Sequence, residues 1–538
     1  MSQIHMPFLP TRRERAGTPP PFLWWVDVLI FAILIAIAYG IVVAASRWIG
    51  PFTPTPHIDL SPGALPLYAG LSTLRMAVAY VLSLAFSLIY ARVAATHRRA
   101  ERVMIPLLDI LQSVPILSFL PGVVLALVAI FPHSNVGLEL AAVLLIFTSQ
   151  AWNMAFSFYH SLLVVPKDLR EASTIYQLNS WRRFTRLELP FGMIPLIWNS
   201  MMSWAGGWFF LMAAEQFTLG NENFQLPGLG SYLQTAANAG NIGALLLGLA
   251  TLIIVIALLD TFLWRPLIAW ADRFKVEQTA SGQPPTSFVL RWLRRSALLD
   301  WLTRRVFRPG LERLDRLFGR LQAAPGQSPS RMALGSTDQE QDIKDGKATT
   351  AWPARVWRIA SLALGVVLLL ACVWGTLEAL SLLAQVSLAE WGQVALGALA
   401  TLARTTLALV IAVAWTVPVG VAIGLNPRLA QRAQPFVQMV ASIPATALFP
   451  ALLLLILELP GGLNLAAIAL MLLGTQWYVL FNVIAGAMAI PSDLREAAAI
   501  YKVRGWQRWR SLILPGIFPF LVTGMITATG GAWNASIV

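Results

Sequence analysis

The sequence predicts an all-α, polytopic membrane protein made of two parallel repeats of about six transmembrane helices. Three observations carry that prediction. The 538 residues are 57% hydrophobic and only 12% charged, with a mean hydropathy of +0.66, whereas soluble domains carry roughly 25% charged residues. Apolar runs of about 20 residues, enough to cross a hydrocarbon core of roughly 30 Å, recur along both halves. The segment DLREASTIYQLNSW, Asp168 to Trp181, returns as DLREAAAIYKVRGW, Asp493 to Trp506.

The repeat has a definite register. Glu171 and Glu496 stand 325 positions apart, and that offset also pairs Pro166 with Pro491, Tyr176 with Tyr501, Leu189-Pro190 with Leu514-Pro515 and Trp208 with Trp533. Upstream the offset is 329, matching Arg75 with Arg404, Pro106 with Pro435, Pro115 with Pro444 and Pro121 with Pro450. The slip falls near Pro132 to Gly137, a hairpin loop where insertions are cheap. A period this long marks a domain duplication rather than a solenoid.

The elements follow in order. Residues 1–23 form a basic tail. The apolar run after it is too long for a cleaved leader, and further spans follow, so it reads as a retained span. The first domain, 24–275, carries expected spans at 24–46, 65–91, 105–130, 138–160, 191–214 and 242–264. Residues 276–357 form a linker. It is basic and amphipathic from about Phe288 to Leu321, with Trp292, Leu293, Trp301, Leu302 and Phe307 among arginines. That composition suits a membrane surface, and the polar tract GQSPSRMALGSTDQEQDIKDGKATT suits disorder. A tether and a regulatory element are both open readings. The second domain, 358–538, repeats the pattern with spans at 358–384, 393–424, 435–457, 463–488 and 516–538. Pro115, Pro121, Pro444 and Pro450 predict kinks. Val538 aligns with Ala213, so the sequence is expected to run on by roughly 60 residues that supply a twelfth span.

Basic residues set the expected orientation. Arg12, Arg13 and Arg15 precede the first span, Arg92, Arg98, Arg99 and Arg102 follow the second, and Lys167, Arg170, Arg182, Arg183 and Arg186 follow the fourth. The loops 131–137 and 215–241 hold no Lys or Arg. The second half repeats this with Arg428 and Arg432, then Arg495, Lys502, Arg504, Arg508 and Arg510. By the positive-inside rule the N-terminus, both motif loops and the linker are cytoplasmic. Even span numbers per half make the repeats parallel, related by an axis along the membrane normal. The net charge of +13 then reflects topology and anionic lipid contact. Because it is scattered over several membrane loops, no nucleic-acid role is expected. The single Cys372 allows no intramolecular disulfide. His5, His57, His97, His133 and His160 are dispersed without metal-ligand spacing, so no metal site and no catalytic residues are expected.

A charged helix between two spans is often only a solvated connection. Two copies with the same charges and the same Trp spacing point instead to a docking surface. Ala172, and Ala497-Ala498 in the second copy, allow close approach, while Glu171 and Glu496 supply charge-assisted hydrogen bonds. A two-fold pair of such helices suits a two-fold partner.

The segment resembles the EAA loop of permease subunits in binding-protein-dependent ABC importers, which has EAA, a Gly six residues after the Glu, and an I-x-L-P or I-L-P ending. The second copy has Glu496-Ala497-Ala498 and Ile513-Leu514-Pro515; the first has Glu171-Ala172-Ser173 and Leu189-Pro190. Gln177 and Lys502 stand where the family has Gly, and Gly505 offers an alternative in the second copy. GTQWYVLFNVIAGAMAIPSDLREAA and GGAWNASIV resemble the duplicated permeases of the nitrate, sulfonate and taurine branch. The resemblance covers both transmembrane halves and not the linker.

It implies that Asp168, Arg170, Glu171, Ala172, Tyr176, Asp493, Arg495, Glu496, Ala497, Ala498 and Tyr501 couple to two cytoplasmic ATPase subunits. It also implies a separate extracytoplasmic binding protein, a small anionic substrate (nitrate, sulfonate, taurine or bicarbonate), and a bacterial or archaeal cell membrane. No cofactor is expected in this chain. ATP and Mg belong to the partner subunits, since Gly346-Lys347-Ala348 lacks the P-loop spacing and hydroxyl.

Pathway candidates come from polar and indole groups in spans: Asn153, Asn199, Trp208, Asn482, Trp533 and Asn534, with Gln150 and Gln476 beside them. An anion favours amide and indole N–H donors. Interhelical hydrogen bonding and interfacial anchoring are the competing readings. Arg75 and Arg404 lie inside apolar runs, where one arginine costs ~2.5–3.5 kcal/mol at the membrane centre. Attraction of an anion and pairing with a carboxylate or helix-end carbonyls both remain open for them. A gradient-driven carrier is the rival class; it needs midplane ionisable groups and leaves the duplicated loop unexplained.

Overall fold

The structure, a computed structural model, describes residues 24–219, 222–274, 287–307, 383–456 and 460–537, with a few more at 309–313 and 366–381. The expected tail 1–23, the polar tract of the linker, most of the expected span 358–384 with Cys372, and Val538 lie outside the described residues. The chain divides into two compact units, Met1–Arg316 with Arg404–Val538, and Leu317–Ala403. Described residues of the smaller unit include the exposed, helical Leu388, Leu396 and Leu399. Both copies of the repeated motif belong to the larger unit.

The first repeat begins with α1 (Trp24–Trp48), α2 (Leu65–Thr96), α3 (Arg98–Ser113), α4 (Leu120–Ile130), α5 (Val136–Leu163), α6 (Lys167–Ile175), α7 (Ser180–Arg183) and α8 (Leu189–Glu215). A hairpin of β1 (Gln216–Leu219) and β2 (Glu222–Gln225) comes next, then α9 (Leu229–Asn238), α10 (Ile242–Leu259) and α11 (Arg265–Ala271). The linker contributes α12 (Phe288–Leu293) and α13 (Ala297–Leu302). The second repeat runs α14 (Leu388–Leu425), α15 (Pro427–Ala441), α16 (Ala445–Ile456), α17 (Gly462–Ala489), α18 (Ser492–Ile500), α19 (Gly505–Arg508) and α20 (Leu514–Ala535). The order α2 to α8 therefore returns as α14 to α20. Among the described residues seven helices are long and apolar enough to cross a membrane, and a bent pair makes up to eight.

Small residues set the helix packing. On α2 the buried stripe Ala69, Ser72, Met76, Ala79, Ser83, Ser87, Ala91 and Ala94 has the three-and-four spacing of one helix face. It lets α5 approach closely enough for Ser83 Oγ to donate to the Phe147 carbonyl at 3.1 Å, and Ser87 Oγ to that of Ala151 at 2.9 Å. Such small-residue faces drive association where lipid removes the hydrophobic incentive. The matching face of α14 buries Thr405, Ala408, Ala412, Thr416 and Gly420; a Cβ on Gly420 would meet the Val483 side chain at 2.8 Å.

The single span expected over 105–130 is instead broken, with its two helical parts bent by 87°. The cause is local. Val114 precedes Pro115 and is extended, φ −74° and ψ 127°, as the proline ring demands of its predecessor. The helix α3 on one side is polar and amphipathic, and α4 on the other, with 11 residues, covers only about 16 Å, half a hydrocarbon core. The expected span 435–457 is likewise interrupted, at Ser442 to Pro444 between α15 and α16.

Both repeats also share a π-helical turn, Phe184–Glu188 and Trp509–Ile513. Each leads into a Leu-Pro pair, and the leucine N–H bonds five residues back, Leu189 to Phe184 and Leu514 to Trp509. The wider turn accommodates the proline that follows, whose ring would otherwise press on a carbonyl four residues back.

Two features go beyond the sequence expectations. The loop 215–241 holds an antiparallel hairpin with Gln216 opposite Gln225 and the short α9. The linker packs against α1: Asp27 accepts from Ser296 Oγ at 2.5 Å and from the Leu298 N–H at 3.0 Å, and Trp25 meets Trp292 edge-on at 5.1 Å.

Candidate functional site

The repeated loops fold alike. Pro166 and Pro491 open α6 and α18 with φ, ψ of −54°, 142° and −55°, 141°. Each helix closes with the same pair of reversed hydrogen bonds. Gln177 N–H reaches the Thr174 carbonyl and Leu178 N–H that of Ser173; Lys502 reaches Ala499 and Val503 reaches Ala498. This is a Schellman ending, which requires a left-handed residue. That residue is Gln177 in one copy, φ 50°, and Lys502 in the other, φ 54°. The turn proper to glycine is therefore formed without it. Gly505, also left-handed at φ 55°, lies three residues further on.

The faces presented by the two helices match. Asp168, Glu171, Asp493 and Glu496 are exposed. So are Ile175 and Tyr176, 79% and 73%, and Ile500 and Tyr501, 76% and 80%. Ala172, Ala497 and Ala498 are half-buried. Arg170 turns away from this face: its Nη2 donates to the Leu162 carbonyl at 2.6 Å and that of Leu163 at 3.2 Å, capping the end of α5. Arg495 is half-buried, its Nε without a hydrogen-bond partner among the described residues.

The first loop is further tied to α2 by charge. Glu188, 6% exposed, lies 3.4 Å from Arg92 Nε and 3.1 Å from Arg183 Nε. Arg92 also donates to the Ser180 carbonyl and hydroxyl and stacks over Phe184 at 4.5 Å. In the second copy Val421 and Ile513 hold the matching positions and share one apolar cluster with Val417, Val483 and Ile517.

Deeper in the first repeat, Arg75 is fully enclosed. It pairs bidentately with Glu139 at 2.5 and 2.8 Å, and its Nη1 reaches Glu215 at 2.8 Å and the Pro227 carbonyl at 3.0 Å. Glu215 accepts also from Ser72 Oγ at 2.5 Å and from the Gly230 N–H at 2.6 Å. All three charged groups are at most 3% exposed. Gly228 is needed beside them, since a Cβ there would meet the Glu215 carboxyl at 2.3 Å. Of the two readings open for Arg75, the geometry displays carboxylate pairing. Sequence reasoning missed Glu139 and Glu215. Their signal was an acid at the end of each of two apolar runs, costly unless a cation answers it. Arg404 is half-buried, and Asn464 stands where Glu139 does; among the described residues it forms no such cluster.

The remaining pathway candidates separate. Trp208 is 1% exposed within the core, and Trp533 is half-buried. Asn534 accepts from the Ile116 N–H at 2.7 Å, tying the second repeat to the broken turn after Pro115. Asn482 bonds the Tyr478 carbonyl at 2.8 Å. Asn153 and Asn199 are brought together, lining one cleft with Ser157 and His160. Two further contacts join the repeats: Thr446 Oγ1 to the Phe209 carbonyl at 3.1 Å, and Gln438 Nε2 to Met201 Sδ at 2.9 Å.

A duplicated, polytopic helical protein carrying one polar, exposed helix between spans in each repeat is the class that fold and loops define. The chain belongs to the binding-protein-dependent transport system inner membrane component family, whose pattern matches residues 83–264 and again 416–538, more than half of the sequence. It is similar to the nitrate import permease protein NrtB of Synechococcus elongatus, 24% identical over 139 residues, covering 26% of this chain and 48% of that protein. The bicarbonate transport system permease protein CmpB of the same species is 27% identical over 139 residues, 26% of this chain and 49% of that one. The taurine transport system permease protein TauC of Escherichia coli K12 is 26% identical over 205 residues, 35% and 72% of the two chains. The chain spans about half the length of the first two relatives. The anion-transport branch expected from the motifs is thus the one its relatives occupy.

Proposed function

We propose that the chain is the membrane-spanning subunit of an ATP-driven importer for a small anion of the nitrate, bicarbonate, sulfonate or taurine class. In this reading its N-terminus, linker and repeated loops face the cytoplasm of a bacterial or archaeal cell, and two copies of one ATPase subunit seat α6 and α18. An extracytoplasmic binding protein delivers the substrate. ATP and Mg act on the ATPase subunits, and this chain performs no catalysis.

The observation that carries the reading is the pair of docking faces. Asp, Leu, Glu, Ile and Tyr recur at 168, 169, 171, 175 and 176 and at 493, 494, 496, 500 and 501, exposed in both copies on the same backbone frame. An exposed Ile-Tyr pair flanked by carboxylates is a compact apolar anchor with a polar rim, the arrangement that concentrates binding energy. Movement of the ATPase subunits would reach the spans because α6 is held at both ends, by Arg170 on α5 and, beyond α7, by Arg92 on Glu188. Rigid-body alternation of the repeats would then expose the pathway to each side in turn.

The Arg75–Glu139–Glu215 cluster is the feature that would favour a gradient-driven carrier. Its groups satisfy one another and are closed off from solvent, which suits a fastener better than a relay. Affinity purification from native membranes tests the proposal. An ATPase should co-purify with the wild type and be lost from Glu171→Lys/Glu496→Lys. A folded wild-type protein that retains no ATPase would refute the importer reading.

A further inference from the structure

Between α5 and α8 lies an open cleft of about 440 Å³ lined by Asn153, Phe156, Ser157, His160 and Asn199, among others. It is a shallow groove, open along one side rather than enclosed. Asn153, Ser157 and His160 are spaced by four and three residues, so they form one stripe along α5. Asn153 and His160 are exposed and Ser157 is half-buried. Asn153 is ten residues from the end of α5 at Leu163, about 15 Å along the helix, which places it near the middle of a membrane core of roughly 30 Å.

A polar stripe at that depth would be costly against lipid, and such groups face water or a partner. The face of α8 that carries Asn199 turns toward the protein rather than toward lipid. Gly206, seven residues on, shares that face, and a Cβ there would lie 3.7 Å from Tyr478 Oη of the second repeat. The cleft therefore opens beside the junction of the two repeats.

The hydrogen bonds orient its donors. Asn199 Nδ2 donates to Ser157 Oγ at 2.9 Å and to the Pro195 carbonyl at 3.0 Å. Ser157 Oγ is thereby an acceptor on one side, leaving its O–H to point elsewhere. The Asn153 amide and the His160 ring add N–H groups, and Phe156 lies nearly parallel to the His160 ring at 6.3 Å. The lining contains no carboxylate. Across the repeat, Tyr478, Asn482, Ala485 and Gly524 replace Asn153, Ser157, His160 and Asn199, and Gly524 there closes against Asn482 and Tyr478.

We infer that this cleft is a water-filled, one-sided binding site for a small oxyanion, with Asn153, Ser157 and His160 as donors and Asn199 as the residue that positions Ser157. The identity of the ligand rests on the permease reading; the site itself does not require an ATPase. The test is thiol accessibility of the full chain in lipid nanodiscs, on a Cys372→Ser background that removes the only native cysteine. Asn153→Cys should react with a membrane-impermeant sulfonate-bearing methanethiosulfonate, while Val81→Cys, at an apolar position 62% exposed, should not. At Phe156→Cys, a lining position that supplies no donor, nitrate or taurine should slow the same reaction about twofold or more once half the sites are filled. His160→Ala/Asn199→Ala should abolish that protection while the elution profile on size exclusion stays unchanged. No reaction at Asn153→Cys would overturn the aqueous cleft. Reaction without anion protection would overturn the binding site, and neither result would bear on ATPase docking.

Discussion

Gln177 and Lys502 hold φ of 50° and 54°, a region that costs a non-glycine residue about 1–2 kcal/mol. Glycine would remove that cost and return about 0.5–1 kcal/mol through its greater freedom in the unfolded chain. Gln177→Gly and Lys502→Gly should therefore each stabilise by up to about 1 kcal/mol. Thermal unfolding in mild detergent would show a raised midpoint, and a lowered one would mean these side chains do more than close a turn. Arg75 gives the opposite sign. Arg75→Met strands Glu139 and Glu215 as buried carboxylates and should cost about 3–5 kcal/mol, whereas Arg404→Met at the matched position should stay within about 0.5 kcal/mol. Equal midpoints for the two variants would contradict the fastener role. The partners of Arg75 were hidden in the sequence because they lie 64 and 140 residues away, brought together only by the register of α2 on α5 and α8.

Among the elements, the two loops solve one problem with different chemistry. The first hangs from α2 through Arg92 and Glu188, while in the second Val421 of α14 and Ile513 belong to one apolar cluster. Replacing a buried ion pair by apolar residues of similar volume is often neutral, but removing one partner is not. Glu188→Ile alone should cost about 1–3 kcal/mol, and Arg92→Val/Glu188→Ile should recover most of it. A double mutant as unstable as the sum of its singles would show that the pairs are not interchangeable. Arg170→Ala should leave the α5 carbonyls uncapped, cost about 1 kcal/mol and lower ATPase stimulation by the chain more than ATPase binding. If both fell together, Arg170 would belong to the docking face itself. At this scale the sequence was partly legible. Pro115 and Pro444 announced kinks, but an 87° break also needs α4 seated against α5, and no local pattern records that. The hairpin at 216–225 was unreadable for a similar reason: its strands are four residues each, too short for a period to emerge.

For the whole molecule, duplication was the most legible property, because a charged motif returning after 325 residues survives any uncertainty in helix ends. What the repeat could not convey is where the halves differ. The Arg75 cluster and the polar cleft with Asn153 and His160 both belong to the first repeat, while the exposed faces of α6 and α18, proposed to seat the ATPase, are kept in both. That pattern expects asymmetry along the pathway and symmetry at the ATPase, so one chain should carry two identical ATPase copies. Native mass spectrometry of the complex, extracted intact from its own membrane, measures this directly. The expected mass is one chain with two copies of a single ATPase, falling to one copy in Glu171→Lys or Glu496→Lys alone. Two different ATPases, or a single copy bound to the wild-type chain, would contradict the equivalence of the two helices.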